Sequence, residues 1–267
     1  MIIAIEGTDA SGKKTLSELL AAALSSPETG EATIMSFPRY DGPFGKEILR
    51  CLQKESVMYR RQQVEEGVAP VYAYDAKDDA VALRGLFALD HYEGAAEIRR
   101  LHGLEMTVIL DRYWPSNVCY GAEDGFDPEI LQNVSSFLPE ADVYFFIDVS
   151  VEESARRRPQ ARDRYEKDKE KMKRIRQRYL DLWWLEGRGN VTLSGDDIFF
   201  TKPLWVTING EQEREKIVEQ MLTWVRLVQH VPVRKDIQVV ERSLNELDPH
   251  IAEDLRKQTE ERVKRKR

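Results

Sequence analysis

The sequence predicts an α/β fold in which a parallel sheet is covered by helices on both faces. Short apolar runs, typical of buried strands, alternate along the 267 residues with stretches of helical periodicity. These runs are continuously apolar, as expected when both faces of a strand are buried. A glycine-rich segment that ends in lysine, at residues 7–13, lies where the first strand gives way to the first helix.

The elements follow one another in a regular order. The apolar runs predict five strands, at 2–6, 33–37, 107–111, 143–149 and 204–208. The helical patterns between them predict seven helices, at 13–25, 44–54, 76–102, 128–137, 151–158, 165–186 and 211–229. Ligands of such sheets bind beyond the carboxyl ends of the strands. The polar clusters at those ends therefore predict one composite site, formed by 7–13, 37–45 and 111–120.

Two segments lie outside this alternation. Residues 187–203 predict a hairpin with its turn at Gly195, Asp196 and Asp197, and the tail from 230 to 267 predicts a helical extension that begins at Asp248 and Pro249. The remainder, residues 1–229, is expected to form one domain, because 42% hydrophobic content at this length supports a single sizeable core.

Composition and charge exclude several classes of protein. A net charge of −7 argues against general nucleic-acid binding, which requires a basic surface. Two cysteines, Cys51 and Cys119, are too few for a disulfide framework and lack metal-ligand spacing. No apolar run approaches the ~18 residues of a membrane span. We therefore expect a cytoplasmic protein with no membrane partner and no nucleic-acid partner.

Residues 7–13 have the composition of a phosphate-binding loop. At a junction of strand and helix, backbone N–H groups and the positive end of the helix dipole converge on an anion. Lys13 is placed to reach the β- and γ-phosphates of a nucleotide, whereas Lys14 stands where such loops usually carry the Ser or Thr that binds Mg²⁺. The metal ligands are therefore left open. The expected nucleotide contacts are Gly7, Thr8, Asp9, Ala10, Ser11, Gly12, Lys13, Lys14 and Thr15.

Arginines mark three further segments. Arg112 follows Asp111 at the end of a strand, where its guanidinium can pair with a second phosphate. Arg39 lies in a proline-containing turn after the second strand. A cationic lid, which would stabilise the charge of a transferring phosphoryl group, is predicted between two helices. Its arginines are Arg156, Arg157, Arg158, Arg162 and Arg164.

Together these segments resemble the thymidylate kinase family, in its FPRY-containing branch. The matching stretches cover about residues 1–229 in the right order and are IEGTDASGKKT, SFPRYDGPFG, LFALD, VILDRYWPSNVCY, RDRYEKD and, more weakly, WVTING. The resemblance implies a P-loop fold with five parallel strands, usually a homodimer, that moves the ATP γ-phosphoryl group onto dTMP using Mg²⁺.

The resemblance also implies roles by position. Lys13 and the loop amides would hold ATP, and Arg39 and Arg112 would grip the acceptor phosphate. Since Ala10 stands where some members carry a loop arginine, catalytic arginines are expected from the lid, at Arg156 and Arg162. The implied nucleoside contacts are Phe37, Tyr40, Phe87, His91, Ser116, Asn117, Tyr120 and Tyr165. The carboxylates assigned to the metal are Asp9, Asp111, Asp163 and Glu166.

Among these contacts, Phe87 would stack on thymine, Asn117 would contact the base edge, and Tyr120 would favour deoxyribose. The family normally carries arginine after LFALD, where this chain has His91. Imidazole is shorter and usually neutral near pH 7, so its hydrogen bond to the thymine carbonyl would be weaker or mediated by water.

Three alternatives to a dTMP kinase stay open at this point. His91 motivates a kinase for a broader set of deoxynucleoside monophosphates. A deoxynucleoside kinase shares the loop but needs no grip on an acceptor phosphate, so Arg39 and Arg112 argue against it. A non-catalytic nucleotide sensor, with Lys14 spoiling metal binding, would bind ATP without turnover.

Overall fold

The computed structural model describes residues 1–25, 30–52, 76–158, 168–187, 191–194, 197–200, 203–230 and 238–243. Within these ranges the elements follow in the order β1 (Ile2–Glu6), α1 (Lys13–Leu24), β2 (Ala32–Ser36), α2 (Pro43–Leu52), α3 (Ala76–Gly103), β3 (Thr107–Asp111), α4 (Trp114–Glu123), α5 (Pro128–Ser135), β4 (Val143–Asp148), α6 (Val151–Arg157), α7 (Lys169–Glu186), β5 (Val191–Ser194), β6 (Asp197–Phe200), β7 (Leu204–Asn209), α8 (Arg214–His230) and β8 (Gln238–Ser243).

Five strands form one parallel sheet in the order β2-β3-β1-β4-β7. The central strand is β1, in which Ile3 lies opposite Ile109 of β3 on one side and Val143 of β4 on the other. From β1 the chain passes to β2 at one edge, returns through β3 beside β1, and then continues to β4 and β7 on the other side. The carboxyl end of β1 is therefore the topological switch point. Ligands bind at this position in open α/β sheets, and it is where the 7–13 loop begins.

The alternation of side chains along the strands divides the core into two layers. Ile3 and Ile5 of β1 belong to the layer formed with α1 and α8, in which Trp224 is also buried. Ile2 belongs to the opposite layer, which includes Tyr179 of α7. Burial of each such large apolar side chain stabilises the fold by about 1.5–3 kcal/mol. Both faces of the sheet are therefore covered, as the continuous apolar runs predict.

The five predicted strands and the seven predicted helices are present, with ends close to those predicted. One helix, α4, is not predicted by the apolar pattern, because its first turn carries polar site residues in place of a regular apolar stripe. Pro115 in that first turn is a signal that could have found it, since proline is favoured where a helix begins. The helix predicted from residue 165 is described from Lys169, where the Asp168 carboxylate accepts from the Lys171 N–H at 2.9 Å.

The predicted hairpin is confirmed by β5 and β6, which pair antiparallel with Ser194 opposite Asp197. The turn residues Gly195 and Asp196 lie outside the described residues. A third strand, β8, pairs antiparallel with β6 on its other side. The strand at Gln238–Ser243 precedes the predicted start of the tail helix and is not part of the prediction. Its valine-containing sequence favours a strand, and β6 supplies an edge with which it pairs. The predicted helix start at 248–249 lies outside the described residues.

Among the described helices, none combines the length and the apolar content that a membrane crossing requires.

Candidate active site

The phosphate-binding loop connects β1 to α1 at the switch point of the sheet. Gly7 and Gly12 have φ angles of +155° and +92°, which favour glycine. A Cβ atom on Gly7 would come within 2.8 Å of the Ile147 carbonyl oxygen, so the loop packs closely on β4. Gly12 occupies the N-cap position of α1 and carries no side chain, which leaves the first N–H groups of the helix to an anion.

Lys13 extends its ammonium group into this loop. Its Nζ atom donates to the carbonyl oxygens of Gly7 at 2.9 Å and Thr8 at 2.7 Å, and to Ser11 Oγ at 3.1 Å. Burial lowers the pKa of Lys13 to about 7, because desolvation disfavours the charged amine. Phosphate groups arriving in the loop would supply the opposite charge that stabilises the ammonium form.

Asp9 and Arg112 form an ion pair at the mouth of the loop. The second carboxylate oxygen of Asp9 accepts from the Tyr120 hydroxyl at 2.9 Å, and the Arg112 guanidinium lies 5.5 Å from the centroid of the Tyr120 ring. Burial acts to raise the pKa of Asp9, but the charges of Arg112 and Lys13 outweigh it, so that the pKa lies below its ordinary value. The carboxylate is therefore ionised at neutral pH.

A second carboxylate, Glu6, ends β1 directly beneath this pair and is fully buried. It accepts from the Tyr113 N–H at 2.5 Å and from the hydroxyls of Ser116 at 2.6 Å and Tyr179 at 3.2 Å. Desolvation raises the pKa of Glu6 to about 7. Ser116 also accepts from Arg112 Nη1 at 3.3 Å, so Glu6 links the ion pair to α4 and α7.

A cavity that is open to solvent lies beside the loop. Apart from Arg39, the substrate contacts predicted within the described residues all line it. They are Phe37, Tyr40, Phe87, His91, Arg112, Ser116, Asn117 and Tyr120, with Asp9 at the border of the loop. The lining also contains residues that the sequence analysis did not single out, namely Pro38, Leu52, Arg84 and Tyr113.

Arg39 is not among these lining residues, and its predicted grip on the acceptor phosphate stays a prediction. Its Nη2 atom pairs with Glu93 Oε2 at 2.7 Å, its Nε atom lies 3.6 Å from Asp90 Oδ1, and its N–H donates to Asp90 Oδ2 at 2.9 Å. Two carboxylates one turn apart on α3 therefore hold the guanidinium. Arg39 ties the turn after β2 to α3.

His91 is buried in the wall of the cavity. Its ring meets those of Phe37 and Tyr113 in T-shaped contacts, with centroids 4.8 and 5.4 Å apart. Burial lowers the pKa of His91 to about 3, so the imidazole is neutral near pH 7, in agreement with the sequence-based expectation. Its Nδ1 atom has no hydrogen-bond partner within the described part of the chain.

Arg84 is a site residue that sequence reasoning missed. It lies on α3 one turn before Phe87, and its guanidinium carbon is 5.0 Å from the centroid of the Phe87 ring. Its Nη2 atom pairs with Asp124 at 2.7 Å, and its Nη1 atom lies 3.5 Å from Asn117 Oδ1. The spacing of three residues between Arg84 and Phe87, which places both on one helix face, is the signal that could have found it.

The structure describes three of the predicted lid arginines, Arg156, Arg157 and Arg158, at the end of α6. Arg156 is 75% exposed and pairs with Glu153, whereas Arg157 is 27% exposed and donates to the carbonyl oxygens of Ser11 at 3.4 Å and Gly210 at 2.8 Å. Successive side chains on a helix are separated by about 100°, so two adjacent arginines cannot both face the loop. The geometry favours Arg157 over Arg156. Arg158 follows as the C-cap residue of α6, and its charge helps to lower the pKa of Asp9. Five further lid residues lie outside the described residues: Arg162, Asp163, Arg164, Tyr165 and Glu166.

The donor set is compatible with Mg²⁺ held mainly by nucleotide phosphates. Across the described ranges, no group of three His, Cys, Asp or Glu could hold a metal ion by itself. Of the four carboxylates assigned to the metal, Asp9 and Asp111 lie within the described residues. On α1, Lys14 is exposed and Thr15 is half-buried. Mg²⁺ usually keeps several waters and binds through one or two carboxylates and substrate phosphates, which this arrangement can satisfy.

The fold and the site together define a class of protein. A phosphate-binding loop at the switch point of a parallel sheet lies beside a cavity into which an arginine projects, and this is the arrangement of a P-loop kinase that phosphorylates a small acceptor.

Comparison with known proteins gives the family. The family model for thymidylate kinase matches residues 5–194. The chain is 33% identical to the thymidylate kinase of Mycobacterium tuberculosis H37Rv, over 68% of this chain and 85% of that protein. It is 34% identical to the probable thymidylate kinase of Pyrococcus horikoshii, over 67% of this chain and 81% of that protein.

A solved structure of the thymidylate kinase of Candida albicans has the same fold, with a TM-score of 0.62 at 21% identity, and covers 90% of this chain and 97% of that one. The chain belongs to the thymidylate kinase family, whose reaction is the phosphorylation of dTMP by ATP.

Proposed function

We propose that ATP binds with its phosphates in the 7–13 loop, that dTMP occupies the adjoining cavity, and that Mg²⁺ accompanies the ATP. The cluster of Asp9, Arg112 and Tyr120 carries this proposal, because it contacts both the loop and the cavity. Two phosphate groups approaching from the two sides would meet at Arg112.

The expected chemistry is in-line phosphoryl transfer, in which the protein mainly positions the reactants and neutralises their charge. Arg112 is assigned to the acceptor phosphate, and Lys13 would exchange its contacts with Gly7, Thr8 and Ser11 for phosphate oxygens. Arg157, whose guanidinium already contacts the loop, supports a lid that adds positive charge from above.

Bound Mg²⁺ would neutralise part of the phosphate charge and orient the nucleotide. Asp9 and Asp111 are the described residues assigned to it, directly or through water, together with the hydroxyl of Thr15. The domain of residues 1–229, the homodimer and the cytoplasmic location remain predictions. Light scattering of the purified chain at several concentrations tests the homodimer.

A second function, a kinase for several deoxynucleoside monophosphates, is favoured by one observation. His91 is neutral and buried where the family carries a charged arginine. The charged donor that the family presents to the base is therefore replaced here by a neutral imidazole. The choice between the two functions depends on the base that the cavity accepts.

An ADP-release assay with ATP and Mg²⁺ tests these proposals on dTMP, dUMP, dCMP, dGMP and thymidine. Turnover confined to dTMP, with dUMP weaker, supports the first proposal, and turnover spread across the monophosphates supports the second. ATP binding without turnover on any acceptor would refute both and indicate a nucleotide sensor.

The role of Arg112 is tested by the substitution Arg112→Met. We expect turnover to fall at least about 100-fold while ATP binding persists, because a charge that stabilises the transferring group is lost. Arg100→Met is a matched control, since Arg100 is an exposed arginine of α3 that pairs with Glu97 on the same helix. Retained turnover in Arg112→Met would contradict the assigned role.

A further inference from the structure

We infer that Arg84 reads the edge of the pyrimidine by which thymine differs from cytosine. The inference rests on the proposed placement of dTMP in the cavity and names the residue that determines its base specificity. Four observations carry it: the position of the guanidinium, its anchoring, its contact with Asn117, and the chemistry of its donors.

The guanidinium of Arg84 belongs to the wall of the cavity at the end assigned to the base. It lines the cavity together with Phe87, Asn117 and His91, although its side chain is only 3% exposed. Its carbon atom lies 5.0 Å from the Phe87 ring centroid, a cation–π distance. A base bound at this end of the cavity would therefore have both Phe87 and the guanidinium in its surroundings.

The side chain is held in this position from behind. Asp124 accepts from Nε at 3.1 Å and from Nη2 at 2.7 Å, and Lys171 of α7 donates to the other oxygen of Asp124 at 2.8 Å. The aliphatic stem passes over Gly121, where a Cβ atom would lie 3.2 Å from Arg84 Cδ. The rotamer of Arg84 is therefore constrained on the side away from the cavity, which favours a fixed donor geometry towards a ligand.

Arg84 also sets the orientation of Asn117, the residue expected at the base edge. The Nδ2 group of Asn117 donates to the Arg84 carbonyl oxygen at 3.2 Å, and its Oδ1 atom faces Arg84 Nη1 at 3.5 Å. The two residues consequently act as one recognition element that joins α3 to α4. A change at Arg84 would release Asn117 as well.

The chemistry of the guanidinium selects between pyrimidines. Arginine has only donors. Thymine presents a carbonyl oxygen at position 4, which accepts, whereas cytosine presents an amino group there, which donates. Arg84 is therefore complementary to thymine and opposes cytosine. The neutral imidazole of His91 offers one donor and one acceptor, so it discriminates less and does not replace the missing family arginine.

Binding and turnover of dTMP and 5-methyl-dCMP test the inference. The two ligands share phosphate, sugar and methyl group and differ only at N3 and position 4 of the base. We expect the wild type to prefer dTMP, and Arg84→Met to lose about ten- to a hundredfold of that preference in both Kd and kcat/KM. Arg100→Met, which removes an exposed arginine from the same helix, should keep the preference.

A second variant, Arg84→Gln, retains a hydrogen-bonding partner for Asp124 and guards against misfolding of the methionine variant. Its amide can present either oxygen or nitrogen, so it should also lose the preference. Thermal melting verifies that each variant folds. Asp124→Asn, at a positioning residue, should reduce the preference by less than either change at Arg84.

Two results would overturn the inference. One is a wild type that binds both ligands equally. The other is a folded Arg84 variant that binds both ligands more weakly but keeps their ratio, which would make Arg84 structural. These outcomes are distinct from failure of the proposed function, which would appear as a wild type that does not phosphorylate dTMP.

Discussion

Replacing Glu6 by glutamine removes a buried charge with little change of shape, and we expect the variant to be more stable than the wild type at neutral pH. Glu6 is 0% exposed, and its pKa is raised from 4.5 to about 7 by desolvation. Between these values the folded chain retains a proton that the unfolded chain has released, so stability falls as the pH rises. The difference between the two pKa values corresponds to about 3 kcal/mol of folding stability. This stability is present below pH 4.5 and is lost by about pH 7.

Glutamine can preserve the contacts of this carboxyl group. Its carbonyl oxygen can accept from the Tyr113 N–H, and its amide can donate to the hydroxyl oxygens of Ser116 and Tyr179, which act as acceptors as well as donors. The amide does not ionise, so Glu6→Gln should not show the loss of stability between pH 4.5 and 7.

Urea unfolding at a series of pH values from below 4.5 to above 7 measures this effect. The free-energy difference between Glu6→Gln and the wild type should grow by about 3 kcal/mol across that range and then level off. Glu18→Gln, which removes the same charge from an exposed position on α1, should follow the wild type. If the unfolding free energies of Glu6→Gln and the wild type change in parallel with pH, burial does not raise the pKa of the Glu6 carboxyl group.

Three other substitutions test separate parts of the structure. Gly45→Ala should lose at least about 2 kcal/mol of stability in urea, because its Cβ would lie 1.8 Å from a main-chain oxygen. Gly85→Ala, whose Cβ would have nothing within 4 Å, should gain about 0.5–1 kcal/mol. Equal effects of the two substitutions would refute the packing argument. Arg157→Ala should raise the KM for ATP several-fold more than Arg156→Ala, since Arg157 contacts the loop whereas Arg156 pairs with Glu153 on its own helix. The reverse order would favour Arg156 as the lid arginine that acts on ATP. Tyr120→Phe should lower kcat/KM for dTMP about tenfold, because the hydrogen bond from the Tyr120 hydroxyl to the charged Asp9 carboxylate is lost. Unchanged kinetics would show that this hydroxyl has no role in the site.

Much of the sheet and of the cavity could be predicted, because both depend on local pattern. Buried parallel strands are continuously apolar, so the strands could be found from the sequence. The residues just beyond the strand ends converge on one edge of the sheet, and the structure does bring Asp9, Arg112 and Tyr120 together there. The helix α4 was missed because a segment that builds a site on its first turn has no regular apolar stripe there.

Other features depend on partners that are distant in sequence. Arg84 owes its position to Asp124, which lies 40 residues away, and Arg39 pairs with two carboxylates of α3. The choice between Arg156 and Arg157 depends on the rotation of α6 against the loop. No pattern within a short window contains these relationships, although the helical spacing of Arg84 and Phe87 offers a partial signal.

The pairing of β6 with both β5 and β8 has a consequence for the history of the chain. Residues 187–203 and the segment that follows α8 are separated in the chain by β7 and α8, but their strands share one three-stranded sheet. A descendant that lost only the tail would expose the edge of β6, and an unpaired edge is a template for aggregation. One that lost only the hairpin would leave β8 without its neighbour. We therefore expect relatives to carry both segments or neither, and a protein shortened after α8 to be prone to self-association.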